Sequence, residues 1–314
     1  MRGLCVWLFA LLAAYGADSQ QSFVRRATEA LARHDAAAVI AIANEGLAGG
    51  DNADLRNLLG KGYAQSGQMP KAIAELEAAI RLARGNEAFR FDLARLYLYQ
   101  QDFRAAIAVL EPARKDFPRS AQIELALGVA YYGQRRFEDT VLAFLKTIEL
   151  APEVPQPYIF LGKMLEHAGT HMPEITARFA AWERLEPGNA TAPLLHAKAL
   201  VAQLPPAGWD SRADEARLLL EKSVRIDGNS AEAQFELACL MERKHDYEKA
   251  ASLFEKSIQL NPDDPVTHYR LARVYDRLGK KEEADEQRAL HERLSAREKQ
   301  DLDRRAASGI PAPH

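Results

Sequence analysis

The chain has 314 residues and a formal net charge of -3 at pH 7, with 27% charged and 47% hydrophobic residues. Lys and Arg are spread among Asp and Glu, so the sequence has no basic footprint for nucleic acid and no polybasic patch for a membrane surface. We therefore expect the partner of this protein to be neither nucleic acid nor a lipid surface.

Residues 1–17 have the pattern of a secretory signal peptide. Arg2 precedes an uncharged run from Leu4 to Tyr15, which is too short to span a bilayer comfortably, and small residues follow it. Cleavage at the end of this segment predicts an exported protein, periplasmic or secreted. An uncleaved amphipathic start or a mistaken initiation site is the alternative. No later segment is apolar enough to cross a membrane, so we expect no integral membrane segment after cleavage.

Residues 18–52 are predicted to form an atypical helical pair. Apolar residues recur there at helical spacing in two short runs, which are Phe23, Val24, Ala27 and Leu31, then Val39 and Ile42. Gly49 and Gly50 follow the second run and suit the end of the pair.

A fixed period begins near residue 53. A small residue recurs every 34 positions, at Gly60, Ala94, Gly128 and Gly162. A tyrosine follows three places later in the first three units, at Tyr63, Tyr97 and Tyr131. Such a period indicates one supersecondary unit stacked on copies of itself. Apolar residues at helical spacing on both sides of a Gly- or Pro-containing break predict two helices in each unit.

These residues resemble the tetratricopeptide repeat family. The family pattern of Leu-Gly/Ala followed by Tyr occurs at Leu59-Gly60 with Tyr63 and at Leu271-Ala272 with Tyr275, and closing prolines include Pro118. The resemblance implies an all-α fold, a right-handed superhelical solenoid of stacked helix–turn–helix repeats. It covers about seven repeats over 53–288, and small residues such as Gly60 are expected where the two helices of a hairpin approach closely.

The repeat pattern is irregular over 155–230. One extra residue lies in the segment 169–173, and the segment 203–210 lengthens a turn by about seven residues. Insertions in a solenoid map to loops on one face, so the second segment is the best place for a protrusion. The alternative is drift of loop length, which costs little free energy.

The end of the chain has the composition of a cap. Leu290 and Leu294 form one apolar stripe on residues 289–307, and the opposite face is charged, which predicts a capping helix whose outer face meets water. Residues 308–314 are predicted to be a disordered tail.

The resemblance also predicts a binding groove lined by the first helix of each repeat. The position after the small residue is expected to face this groove, and in five repeats it is cationic: Lys61, Arg95, Lys163, Lys198 and Arg273. We call these five residues the cationic row. Apolar and aromatic residues are expected beside the row at Phe91, Tyr99, Leu125 and Tyr132. The row could bind an acidic peptide or a C-terminal carboxylate. Alternatively, Lys and Arg serve as helix formers there, and Glu166, Asp276 and Glu242 neutralise them.

No pattern for catalysis or for a cofactor is apparent. His167 and His171 have helical spacing, but Gly169 lies between them in an expected turn, so we predict no metal site, no cofactor and no catalytic residue. We expect a non-enzymatic scaffold that binds a peptide or partner protein in the groove. The alternatives are a subunit of a cell-envelope or secretion complex that uses its convex face, and an enzyme with an unrecognised site near 203–210.

Overall fold

The computed structural model describes residues 20–206 and 208–307, and every regular element in these residues is helical. The all-α prediction is therefore confirmed. The predicted signal peptide and the predicted tail at 308–314 lie outside the described residues. In the part of the chain that is described, no helix is both long and apolar enough to cross a membrane.

The chain divides into two compact units, with the boundary between Ala151 and Pro152. The first unit holds α1 (20–32), α2 (Ala36–Ala48), α3 (Ala53–Gln65), α4 (Met69–Leu82), α5 (Glu87–Tyr99), α6 (Phe103–Asp116), α7 (Ala121–Gly133) and α8 (Phe137–Leu150). The second holds α9 (Gln156–Lys163), α10 (Met172–Leu185), α11 (Thr191–Ala202), α12 (Ser211–Ile226), α13 (Ala231–Arg243), α14 (Tyr247–Leu260), α15 (Pro265–Arg277) and α16 (Lys281–Ala307).

The turns inside the hairpins share one backbone device. A residue with positive φ follows the first helix of six hairpins, and these residues are His34, Gly67, Gln101, Arg135, His245 and Gly279. The next amide then donates back to a carbonyl five residues earlier, as Asp102 N does to Tyr97 O at 2.9 Å. This left-handed end satisfies carbonyls that the helix leaves open and turns the chain into the second helix.

The small positions of the regular hairpins are places of close helix approach. A Cβ atom added at Gly60 would lie 2.7 Å from Leu76 Cγ, and one at Gly128 would lie 2.4 Å from Phe144 Cε1. Leu76 and Phe144 stand on the second helix of the same hairpin and are fully buried. In these two hairpins the small residue makes room for the bulky one, as the sequence predicts.

The α9–α10 pair is built differently. Two short 3₁₀ turns, Leu165–His167 and Gly169–His171, separate the two helices, and the backbones of α9 and α10 lack the close approach seen in the other hairpins. Fully buried aromatic rings fill the gap, with Tyr158 stacked on Trp182 at a centroid distance of 4.4 Å.

The prediction that Gly162 leaves room for the other helix of its own hairpin is therefore wrong. A Cβ atom at Gly162 would lie 2.5 Å from Leu195 Cδ2, on α11, and not against a side chain of α10. Gly162 therefore leaves room for a side chain of the following hairpin.

A polar cluster joins α10, α11 and α12. His196 stands where the repeat pattern has a leucine, and it is buried. Its Nδ1 lies 3.0 Å from Glu183 Oε2, while the other oxygen of Glu183 accepts a hydrogen bond from Lys222 Nζ at 3.0 Å. The carboxylate supplies the partner that a buried imidazole needs.

The predicted boundary between the last repeat and a separate capping helix, at 288/289, has no counterpart in the structure. One continuous helix, α16, runs from Lys281 to Ala307 and packs along α15. The segment contains neither Gly nor Pro, so nothing in its sequence interrupts the helix. Ala284 and Leu294 are buried along it, whereas most side chains from 296 to 304 are exposed.

Candidate functional site

A cleft of about 510 Å³ lies among α3, α4 and α5 of the first unit. It is lined by Lys61, Ala64, Gln65, Gly67, Met69, Leu76, Asp92, Arg95, Leu96 and Tyr99. We call it the α3–α5 cleft. Three of the nine predicted site residues meet here, namely Lys61, Arg95 and Tyr99.

One carboxylate organises the polar side of this cleft. Lys61 Nζ lies 2.6 Å from Asp92 Oδ2, and an Arg95 guanidinium nitrogen lies 3.4 Å from Asp92 Oδ1. Asn57 also donates to Asp92, at 3.0 Å. Two cations thus share one anion, which leaves the cleft with an excess of positive charge.

The other side of the α3–α5 cleft is apolar and ends in an exposed ring. Met69 and Leu96 contribute aliphatic surface. Tyr99 closes α5 and is 78% exposed, the largest exposed fraction among the large apolar and aromatic side chains of the described residues. An amphipathic ring held on a helix, beside aliphatic surface, suits contact with a partner side chain.

The remaining aromatic and apolar candidates lie elsewhere. Phe91 is half-buried and packs against the core formed by α5, α6 and α7. Tyr132 is half-buried and meets the edge of Phe137 at a centroid distance of 6.2 Å. Leu125 is half-buried on α7. None of these three residues lines the α3–α5 cleft.

The second unit holds the other three members of the cationic row. Lys163 is exposed at the end of α9 and forms no ion pair with any described residue. Lys198 Nζ lies 2.5 Å from Glu232 Oε1 and 3.7 Å from Glu236 Oε1. Burial alone would lower the pKa of Lys198, but the two glutamates outweigh it, so the pKa is raised and the lysine stays charged.

Arg273 pairs with one of the three carboxylates that the neutralisation alternative names, Glu242. Its guanidinium lies 3.4 Å from Glu242 Oε1. The other two carboxylates of that alternative are engaged differently, since Glu166 lies 3.4 Å from His167 Nε2 and Asp276 lies 2.8 Å from an Arg288 nitrogen. Of the three expected neutralising groups, only Glu242 pairs with the row.

A second cleft, of about 500 Å³, lies between α13 and α15 beside the 203–210 insertion. It is lined by Val201, Pro206, Phe235, Glu236, Cys239, Leu240, Glu242, Arg243, His245, Tyr247, Arg270, Arg273 and Arg277. We call it the arginine cleft. Of the nine predicted site residues, only Arg273 lines this cleft.

A signal for the missed arginines does exist in the sequence. Arg270, Arg273 and Arg277 are spaced three and four residues apart, which places them on one face of α15. The contacts of Arg270 and Arg273 with Glu242 give no such signal, because Glu242 comes from another hairpin.

The thiol in this cleft is not activated. Cys239 is half-buried, and burial raises its pKa to about 12. A thiol with such a pKa is protonated at neutral pH and is a poor nucleophile or metal ligand. Among the described residues, no group of three His, Cys, Asp or Glu side chains could hold a metal ion.

Comparisons with known proteins agree with this architecture. Models of the tetratricopeptide repeat match residues 91–156 and 241–304. No curated protein matches the chain.

Two solved structures illustrate the fold. The C-terminal part of a TPR repeat-containing protein from Cytophaga hutchinsonii superposes with a TM-score of 0.62 at 17% identity, over 79% of this chain and 99% of that one. A chain of the APC/C hetero-tetramer Cut9–Hcn1 gives a TM-score of 0.51 at 14% identity, over 85% of this chain and 52% of that one. Tetratricopeptide repeat models thus match two parts of the chain, and these structures share its all-helical fold.

Proposed function

We propose that this protein is a non-enzymatic scaffold that binds a segment of a partner protein in the α3–α5 cleft. Tetratricopeptide repeats support a role in protein–protein interaction. The observation that carries the proposal is the exposed Tyr99 ring at the apolar side of a cleft whose polar side has two cations on one carboxylate.

The chemistry of the cleft defines the segment that would fit. An apolar or aromatic side chain of the partner would pack on Tyr99 and Leu96. An acidic side chain next to it would meet Lys61 and Arg95, since Asp92 balances only one of their charges. The proposed ligand is therefore a peptide segment with an apolar and an acidic residue side by side.

A photo-crosslinking experiment tests this proposal. A benzoylphenylalanine at position 99 is expected to crosslink to the partner in the native cell fraction, and the crosslink is expected to disappear in Lys61→Glu/Arg95→Glu. Leu142, 47% exposed on α8 of the same unit, is the matched control position. A partner captured equally from position 142, or retained in the charge-reversed protein, would contradict binding in the cleft.

Once a partner segment is identified, Tyr99→Ala measures the role of the ring. Loss of a central aromatic contact is expected to cost about 2 kcal/mol or more, which is roughly thirtyfold in Kd. Because Tyr99 is exposed and lies at the end of α5, the melting temperature should stay within the error of wild type. An unchanged Kd would remove Tyr99 from the site.

We propose further that the protein acts outside the cytoplasm, on the evidence of the apolar segment at 1–17. Cell fractionation with amino-terminal sequencing tests this. The mature chain is expected in the periplasm or the medium and to begin near Asp18. A cytoplasmic protein that retains Arg2 would contradict the proposal.

One observation favours a second candidate function, the assembly subunit. Exposed apolar side chains recur on the second helices, at Leu82, Leu142, Leu185, Leu218, Ile226 and Leu260. Crosslinking from position 142 that survives the reversal of Lys61 and Arg95 is the result this second function predicts.

A further inference from the structure

The 203–210 insertion is anchored to α13. The Arg243 side chain donates two hydrogen bonds to backbone carbonyls of the insertion, one to Pro205 O and one to Gly208 O at 3.1 Å. Lys244 lies over the Trp209 ring, 5.3 Å from its centroid. The insertion is thus held against α13, and its Pro206 forms part of the wall of the arginine cleft.

The arginine cleft has more positive than negative side chains. Arg270 and Arg273 share the carboxylate of Glu242, at 3.1 and 3.4 Å. The Arg277 side chain, at the end of α15, makes no ion pair or hydrogen bond with any described residue. Four arginines and two glutamates line the cleft in all, so it carries an excess of two positive charges before His245 is counted.

The floor of the cleft is apolar. Phe235 and Cys239 are half-buried and pack against the core of the second unit, and their remaining surface faces the cleft together with Val201. A ligand here would therefore meet apolar surface below, guanidinium groups along α15 and Pro206 at the side. Guanidinium groups bind carboxylates with paired, charge-assisted hydrogen bonds.

We propose that the arginine cleft is a second binding site, which takes a peptide segment that carries Asp or Glu side chains next to an apolar residue. The charge excess selects the acidic occupant, and the insertion supplies a wall that the regular repeats lack. The inference rests on the proposed function in one respect, that the chain binds proteins. It does not depend on the α3–α5 cleft.

Selection from a phage-displayed library of short random peptides tests the proposal with the full chain. Peptides selected by the wild-type protein are expected to be enriched in Asp and Glu, and part of them should lose binding to Arg273→Gln/Arg277→Gln. For such a peptide the loss is expected to be about tenfold or more in Kd, because two guanidinium groups that form charge-assisted hydrogen bonds with its carboxylates are removed.

Two control variants distinguish binding at this site from binding in the α3–α5 cleft. Lys61→Glu/Arg95→Glu should leave the Kd of these peptides unchanged, and so should Arg225→Gln, which removes one exposed charge from α12 of the same unit. Peptides lost only in Lys61→Glu/Arg95→Glu would support the first cleft and overturn the second. No enrichment in acidic residues, or enrichment that persists in Arg273→Gln/Arg277→Gln, would also overturn it.

The wall has its own test. Arg243→Ala removes the two hydrogen bonds from α13 to the insertion and is expected to weaken binding of the selected acidic peptides by about tenfold while the circular dichroism spectrum stays that of wild type. Arg243→Lys, which keeps the charge but not the two-carbonyl contact, should weaken binding nearly as much. Wild-type affinity in both variants would exclude a role for the insertion in this site.

A second copy of the chain is the other possible occupant of the cleft. In that case light scattering will show a dimer that Arg273→Gln/Arg277→Gln dissociates. That result would overturn the assignment to a partner peptide.

Discussion

In the α7–α8 hairpin, Gly128 lets Phe144 of the second helix lie almost against the first helix, whereas in the α9–α10 pair Gly162 faces Leu195 of the following hairpin. The first arrangement joins two helices by a small residue and a ring. The second joins them by stacked rings, Tyr158 on Trp182. The same small residue at the same period thus serves contacts within a hairpin in one place and between hairpins in another.

The largest effect is expected where stacked rings join the two helices of a pair. Trp182→Ala removes a fully buried side chain and should destabilise the protein by about 3–5 kcal/mol. Hydrogen exchange should show the loss of protection first in α9 and α10. If α9 keeps its protection in this variant, the ring stack is not what holds the pair together.

A smaller effect separates the two glycines. Gly128→Ala places a methyl group 2.4 Å from a ring atom of Phe144, and Gly162→Ala places one 2.5 Å from the end of the Leu195 side chain. The leucine can move away more easily than the ring, and alanine gains about 1 kcal/mol in helix propensity at either site.

We therefore expect Gly128→Ala to cost about 1–2 kcal/mol net in the free energy of unfolding and Gly162→Ala to change it by about 1 kcal/mol or less. Denaturant titration of both variants measures the difference. Phe144→Leu should rescue Gly128→Ala. Equal costs at the two glycines, or no rescue, would show that the two hairpins are packed alike.

The smallest effect concerns pH and the polar cluster of the second unit. Burial would raise the pKa of Glu183, but the hydrogen bonds of His196 and Lys222 outweigh it, so the pKa is lowered. A carboxylate whose pKa is lowered by folding adds stability that is complete above its unfolded pKa, about 4.3, and is lost as the pH falls through the folded value.

Glu183→Gln should therefore cost most at neutral pH and progressively less as the pH falls below about 4.3. Urea unfolding of wild type and Glu183→Gln at a series of pH values gives the curve. A cost of Glu183→Gln that does not change with pH would show that the carboxylate is not charged in the folded protein.

The sequence predicts the parts of the molecule that recur. The period places Gly128 opposite Phe144. The cationic row, through Lys61 and Arg95, and the predicted Tyr99 account for part of the lining of the α3–α5 cleft. Asp92 was not predicted, because its pairing with Lys61 depends on how adjacent hairpins stack and not on spacing within one. Glu242 was expected only as a neutralising group for the cationic row, and the same reason hides its contact with Arg270. The contact from Arg243 to the insertion involves backbone carbonyls, which have no sequence pattern at all.

That contact has a consequence for how the protein can evolve. Because Arg243 binds main-chain oxygens, part of what holds the insertion is encoded on α13, outside the insertion itself. Side chains of the insertion other than Leu204 and Trp209, which pack in or against the core, can be exchanged by mutation without losing these two hydrogen bonds. Related proteins that retain this arginine would share the wall and differ in the surface it presents, so one substitution at position 206 would be enough to try a new specificity.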